Sequence, residues 1–271
     1  YYPLRLARSA FSPLRMDDLY LLLATLAFLG GFILAAVSLR SERPRKQGVN
    51  IPIAAVGLVF QSLFLQLRGE MHGRCPITNG AEVLVFVCWS IVIMYLALGK
   101  AFRLSLLGVF TMPMVFFFQL FAIVYLLAAD PGPRPPAALD PWLELHAAMS
   151  LLAYGAFGLA GVAGVMYFFQ DRQLKSHHPG RLFYSMPPIR YLVAALVRLL
   201  VIGAVLLSVG IVAAFFMKVV PDRGHLLISG AVWIVYLVLI VVHFIKRLPP
   251  KPLSFWAIAA FAFALLTLSA L

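Results

Sequence analysis

The sequence predicts an all-α, polytopic membrane protein of eight transmembrane helices, with both termini on the outer side. Three observations lead there. Of 271 residues, 63% are hydrophobic and 12% are charged. Apolar runs recur that match the roughly 20 residues a helix needs to cross a bilayer core of about 30 Å. None alternates with period two and all are too long for a barrel strand, so they read as helices. Lastly, the charge is one-sided once the runs are threaded in order.

Span one is expected near 18–39. It is too long for a signal-peptide core and is followed by Arg40, Arg43, Arg45 and Lys46, so it reads as a retained span. Residues 1–16, ending before Asp17 and Asp18, read as an N-terminal extension, and 17–271 as one membrane domain. Spans two to four are expected near 51–67, 83–99 and 104–128. The loop 129–145 holds Pro131, Pro133, Pro135, Pro136 and Pro141 and should be extended, fixing where span five (146–169) begins. Asp140 to Glu144 reads as a short interfacial segment under the aromatic anchor Trp142. Spans six to eight follow near 193–217, 226–245 and 253–271. Arg198 falls inside span six, but Leu199 to Met217 alone covers about 28 Å at 1.5 Å per residue. The guanidinium can therefore sit at headgroup level.

Eight spans divide the loops into two sets. The set after spans one, three, five and seven holds 14 of the 22 basic residues and only Glu42 and Asp171 as acids. The other set balances basic against acidic residues, so the net charge of +12 lies on one side. By the positive-inside rule that side is cytoplasmic. The basic excess is thus a topogenic signal and an attraction for anionic lipid, not for nucleic acid. The bacterial cytoplasmic (inner) membrane is the expected location.

The outer set carries His72, His146 and His225, and the last two open spans. Neutral imidazole is the commonest protein ligand for metals and for haem, so histidines gathered at one interface are candidate ligands. His146 and His225 start two helices running the same way, at comparable depth, where two imidazoles could clamp one iron. His243 lies eighteen residues beyond His225, about 27 Å along the helix. It can only belong to a second site or relay, as can His72 in its loop. Arg74 could pair a carboxylate. Trp89 and Trp233 are candidate wall residues. Asn79 and Glu82 share a face at the start of span three, as part of a site or as a helix cap. Gly155, Gly158, Gly161 and Gly164 allow close approach of a neighbouring helix or of a flat macrocycle. Cys75 and Cys88 form no CxxC pair or covalent haem attachment motif, and a disulfide between them is not expected. No catalytic nucleophile, hydrolase signature or phosphate-binding loop is legible, and an enzyme is not expected. A transporter is disfavoured, because no predicted span carries a buried carboxylate or a broken-helix pair.

Arg74-Cys75-Pro76-Ile77-Thr78-Asn79, followed by Glu82, Phe86 and Trp89, resembles the segment R-x-P-x-x-N-x-x-E-x-x-x-F-x-x-W of the cytochrome c assembly protein family. His146 through Lys175 resembles that family's histidine helix with its basic stop, and His225 with Trp233, Tyr236 and His243 resembles its eight-helix HemX-like and YpjD-like branch. The resemblance implies a haem-handling membrane protein, with His146 matching a haem-ligating outer histidine of the family. Joined to the reading of the residues, the expectation is haem b near the outer face, with His146 and His225 as iron ligands and Arg74 as a propionate partner. It also implies partners among cytochrome c assembly or haem-synthesis proteins. The tryptophan-rich outer motif of the haem-delivery (CcsA-like) members is missing, since Lys218 to Gly224 runs straight to His225. The resemblance is therefore to the HemX-like branch. A haem relay or assembly factor is the first expectation. A regulator or scaffold of tetrapyrrole synthesis without haem, or an accessory subunit of a respiratory complex, is the alternative.

Overall fold

The computed structural model describes residues 15–40, 50–73, 75–77, 79–98, 107–129, 140–176, 187–218 and 223–268, apart from the side chains of 39, 40, 127, 129 and 223–226. Among the described residues there are eight helices, each long and apolar enough to cross a membrane. They are α1 (Met16–Arg40), α2 (Asn50–His72), α3 (Gly80–Leu98), α4 (Leu107–Ala129), α5 (Pro141–Lys175), α6 (Ile189–Ala214), α7 (Arg223–Lys246) and α8 (Pro250–Leu268). The chain is a multi-pass membrane protein. We call the end where α3, α5 and α7 start, and where α2, α4 and α6 finish, the His146 end.

Helix α5 is the axis. Its 35 residues reach about 52 Å at 1.5 Å per residue, well beyond a bilayer core. Hydropathy alone gave 146–169, and the helix overruns both limits for local reasons. At its start, Asp140 is the N-cap, its side chain accepting from the Trp142 N–H, with Pro141 in the first turn where no intrahelical donor is needed. The segment 140–144 is thus the cap and first turn of α5, not a separate interfacial piece. At the far end Lys175 pairs with Asp171 one turn back, at 2.7 Å.

Helix α5 packs against α3, α6 and α8, and α1 packs against α2 and α4. The glycine face of α5 serves helix packing. A Cβ on Gly155 would stand 2.6 Å from the Ser90 carbonyl carbon of α3, and one on Gly164 would stand 3.0 Å from the Ser254 carbonyl oxygen of α8. Neighbouring backbone at Gly155 and Gly164, and the Ile91 and Phe261 side chains at Gly158 and Gly161, fill that face and leave no room for a macrocycle. Helix α7 is the least buried of the eight and packs on α6 and α8. Two contacts fix it. Trp233 Nε1 donates to Ser208 Oγ of α6 at 2.9 Å. The Tyr236 ring stacks on Phe157 of α5, centroids 3.5 Å apart and planes 4° apart. Arg198 is exposed on the flank of α6. Cys75 and Cys88 are both free thiols.

Candidate functional site

A cavity of about 230 Å³ opens at the His146 end, between α5 and α7. Helix α5 contributes His146, Ser150 and Tyr154, which succeed one another at four-residue steps and so share one face. Helix α7 contributes Ser229 and Val232 from the opposite wall. The start of α3 supplies Asn79, Gly80 and Val83, and α6 closes the depth with Leu207. The walls are mainly apolar with a few hydroxyls and one imidazole, the make-up of a small-molecule site.

The His146 ring is fixed in orientation. Its Nδ1 lies 2.8 Å from the Gly210 carbonyl oxygen of α6. A carbonyl can only accept, so Nδ1 carries the proton and donates, which puts the lone pair of the neutral ring on Nε2. This is the arrangement that holds a ligating histidine in one tautomer and raises its basicity. Glycine at this position gives the closest approach of α5 and α6 without strain. A Cβ on residue 210 would stand 2.8 Å from Ser150 Oγ and 3.3 Å from the His146 carbonyl oxygen.

Of the other candidates, His225 lies in the first turn of α7, one turn before Ser229. Its side chain is outside the described residues, as is Arg74 altogether. Trp89 donates from Nε1 to Ser62 Oγ of α2 at 2.9 Å and packs edge-on against Phe86. Neither Trp89 nor Trp233 is among the residues lining the cavity. His243, near the end of α7, stands at the opposite end of the bundle, with a buried Nδ1 that has no hydrogen-bond partner among the described residues.

His72 departs from expectation. It is not in a flexible loop but is the last residue of α2, 1% exposed. Helix α2 outruns its apolar run because its end is paired rather than solvated. His72 Nε2 lies 3.3 Å from Glu82 Oε1, and Arg68, wholly buried, lies one turn below on the same face. Arg68 Nε is 3.1 Å from Asp17 Oδ2, and its Nη1 is 3.7 Å from Glu82 Oε1. Arg15 adds a contact to Asp17 at 3.4 Å. Contrary to the expectation that no span carries a buried carboxylate, Glu82 and Asp17 are 0% and 3% exposed, and both lie in helices. The helix-cap reading of Asn79 holds in part. Asn79 Oδ1 accepts from the Glu82 N–H at 2.9 Å, but the Glu82 carboxylate turns to α2 instead of back to the cap. A signal for this cluster was present. Ala54, Gly57, Gln61, Phe64, Arg68 and His72 recur at three- and four-residue steps, which puts Arg68 and His72 on the inward stripe.

A sequence model of the cytochrome c assembly protein family matches residues 77–269, which takes in α3 to α8 and the whole cavity. The chain belongs to this family. Among curated relatives, Protein HemX of Bacillus subtilis is 26% identical over 213 residues, covering 74% of this chain and 75% of that protein. Protein HemX of Brevibacillus brevis is 29% identical over 154 residues, 56% of each chain. The cytochrome c biogenesis protein CcsA of Gloeobacter violaceus is 29% identical over 116 residues, covering 42% of this chain and 34% of the relative. The chain thus spans three quarters of one HemX relative, but only about half of the second and a third of the CcsA protein. The family match begins at Ile77, so it includes Glu82 and not Asp17, Arg68 or His72.

Proposed function

We propose that this family member binds haem b at the His146 end and acts as a haem relay or assembly factor rather than as an enzyme. The observation that carries the reading is the His146 ring, set in the cavity wall with its tautomer fixed by the Gly210 carbonyl. The residues fit the group: an oriented imidazole, apolar walls from Val83, Leu207 and Val232, and hydroxyls from Ser150, Tyr154 and Ser229. At about 230 Å³ the cavity is smaller than the roughly 300–1,000 Å³ of small-molecule clefts and cavities, so it would take only part of a macrocycle. His146 is one proposed iron ligand and His225 the other, with Arg74 as a propionate partner. His225 falls one turn before Ser229, on the helix that forms the facing wall. When bound, haem would supply a redox-active iron, and the His146 and His225 imidazoles would hold it.

The charge asymmetry supports both termini and the His146 end lying outside a bacterial cytoplasmic membrane. The names of the relatives support partners in cytochrome c biogenesis, and membrane lipid surrounds the apolar flanks. Titration of the purified apoprotein with hemin tests the reading. Wild type and His243→Ala should bind alike, whereas His146→Ala should bind at least about tenfold more weakly. Equal binding by His146→Ala, or no binding by wild type, would refute it.

A further inference from the structure

The ion-paired cluster at the end of α2 lies outside the cavity but is joined to it through one turn of α3. Asn79, Gly80 and Val83 of that turn line the cavity. Ala81 and Val85 of the same turns face the other way and pack with Leu21, Phe64 and Leu65 of α1 and α2. Glu82 lies on this second side, held by His72 at 3.3 Å and by Arg68 at 3.7 Å. Its backbone N–H is capped by Asn79, which itself faces the cavity. Gly73 makes the reversal possible. It adopts a left-handed φ of 62° immediately after His72, a conformation that costs glycine little, and it brings the end of α2 beside the start of α3.

We infer that Arg68, Glu82 and His72, anchored through Asp17, are positioning residues for the ligand cavity. They set where the first turn of α3, and with it the Asn79–Val83 wall, stands opposite His146. Burial makes the device stiff. With Arg68 and Glu82 both inaccessible, removing one charge leaves its partners desolvated without compensation, and the restoring shift must come from the α2–α3 turn. Ionisable groups buried inside the protein are costly unless paired, and here their pairing holds one wall of the cavity. The inference concerns the wall, and only its spectroscopic consequence rests on the haem reading.

Cys75 is a native reporter. It lies between His72 and the cavity residue Ile77 and is partly exposed, whereas Cys88 is fully buried in α3. Maleimide labelling and hemin spectra would be compared in wild type, Arg68→Gln, Arg68→Lys and Glu82→Gln, with Asp17→Asn as the milder variant should Arg68→Gln not fold. Arg68→Gln, which leaves the Glu82 charge beside the thiol in place, should label at Cys75 about tenfold faster, through local opening, with Cys88 still protected. Glu82→Gln should do so even when rates are compared per thiolate, since the Glu82 charge also holds the thiol up. The position of the main hemin absorption band should shift in both, and Arg68→Lys should restore part of each effect. Unchanged Cys75 labelling would overturn the inference. So would faster labelling with an unaltered hemin spectrum in a protein whose wild type binds hemin. Labelling of Cys88 alongside Cys75 in every variant would also overturn it, showing a general clamp on the fold. If wild type binds no hemin, the proposed function fails while the Cys75 comparison still decides this inference.

Discussion

Gly210→Val should uncouple His146 from α6, and the structure allows the effect to be worked out. Gly210 has two roles: its carbonyl accepts the His146 Nδ1–H at 2.8 Å, and its missing side chain lets α5 and α6 approach. The first added carbon would meet Ser150 Oγ at 2.8 Å, the His146 carbonyl oxygen at 3.3 Å and the Ser150 nitrogen at 3.4 Å. The hydroxyl can rotate away, but the two backbone atoms cannot, so alanine strains the contact modestly and valine forces the helices apart. Overpacking of this kind costs about 1–3 kcal/mol. Loss of the hydrogen bond that orients a ligating histidine typically lowers affinity about 10–100-fold. Hemin titration with a parallel thermal melt should therefore show weaker binding in the order wild type, Gly210→Ala, Gly210→Val. Ser150→Ala should relieve part of the alanine defect by removing the nearest atom, a coupling that a double-mutant cycle measures. Gly230→Ala on α7 is the control, since a Cβ there meets nothing within 4 Å. Wild-type hemin affinity in folded Gly210→Val would show that α6 does not set the His146 ring, and the argument would fail.

Other outcomes follow from the same contacts. Asp140 is held below the ordinary aspartate range, first by the Lys218 backbone N–H and then by the N–H groups at the start of α5. Because its folded pKa is depressed, its stabilising contribution is complete above the ordinary value and is lost as pH falls through the folded one. Thermal melts of wild type should lose stability on acidification below about pH 4, and Asp140→Asn should lack that part of the acid dependence. Burial, then the charges of Glu144 and Glu82, pushes the Cys75 thiol up to about 11 from 9.0, so its thiolate at neutral pH is about a hundredfold scarcer. Its maleimide labelling should accelerate with pH well beyond pH 9; a rate that levels off by pH 9 would contradict the burial. Cysteines placed at Met217 and Ser176 should label from opposite sides of intact cells or vesicles, Met217 from outside. Labelling of both from one side would change the span count.

The eight helices were legible because crossing a bilayer imposes length and hydropathy together, and these constraints leave few alternatives. Their ends were less so. The five residues of α2 beyond its expected limit and the eleven added to α5 are held by specific partners rather than by apolar runs: Glu82 for His72, the Asp140 cap for the Trp142 N–H, and Asp171 for Lys175. Hydropathy counts Arg68 and Asp17 as loop charges, because a paired buried charge and a solvated one are the same letter. Only the three- and four-residue recurrence along α2 distinguishes them. His146 was legible as a candidate from its place at the start of a span. Its partner Gly210 was not, because a backbone carbonyl has no sequence signature and the contact links residues 64 apart. The glycine run on α5 was ambiguous for a similar reason: small residues admit either a helix or a flat ligand, and here α3 and α8 occupy the space.

The most direct measurement is the visible difference spectrum, dithionite-reduced minus oxidised, of protein purified in mild detergent from haem-replete cells. The account predicts the sharp bands of six-coordinate haem b, weakened or lost in His146→Ala and in His225→Ala and retained in His243→Ala. A preparation that stays colourless after hemin supplementation, with wild type and variants equally folded, would contradict it.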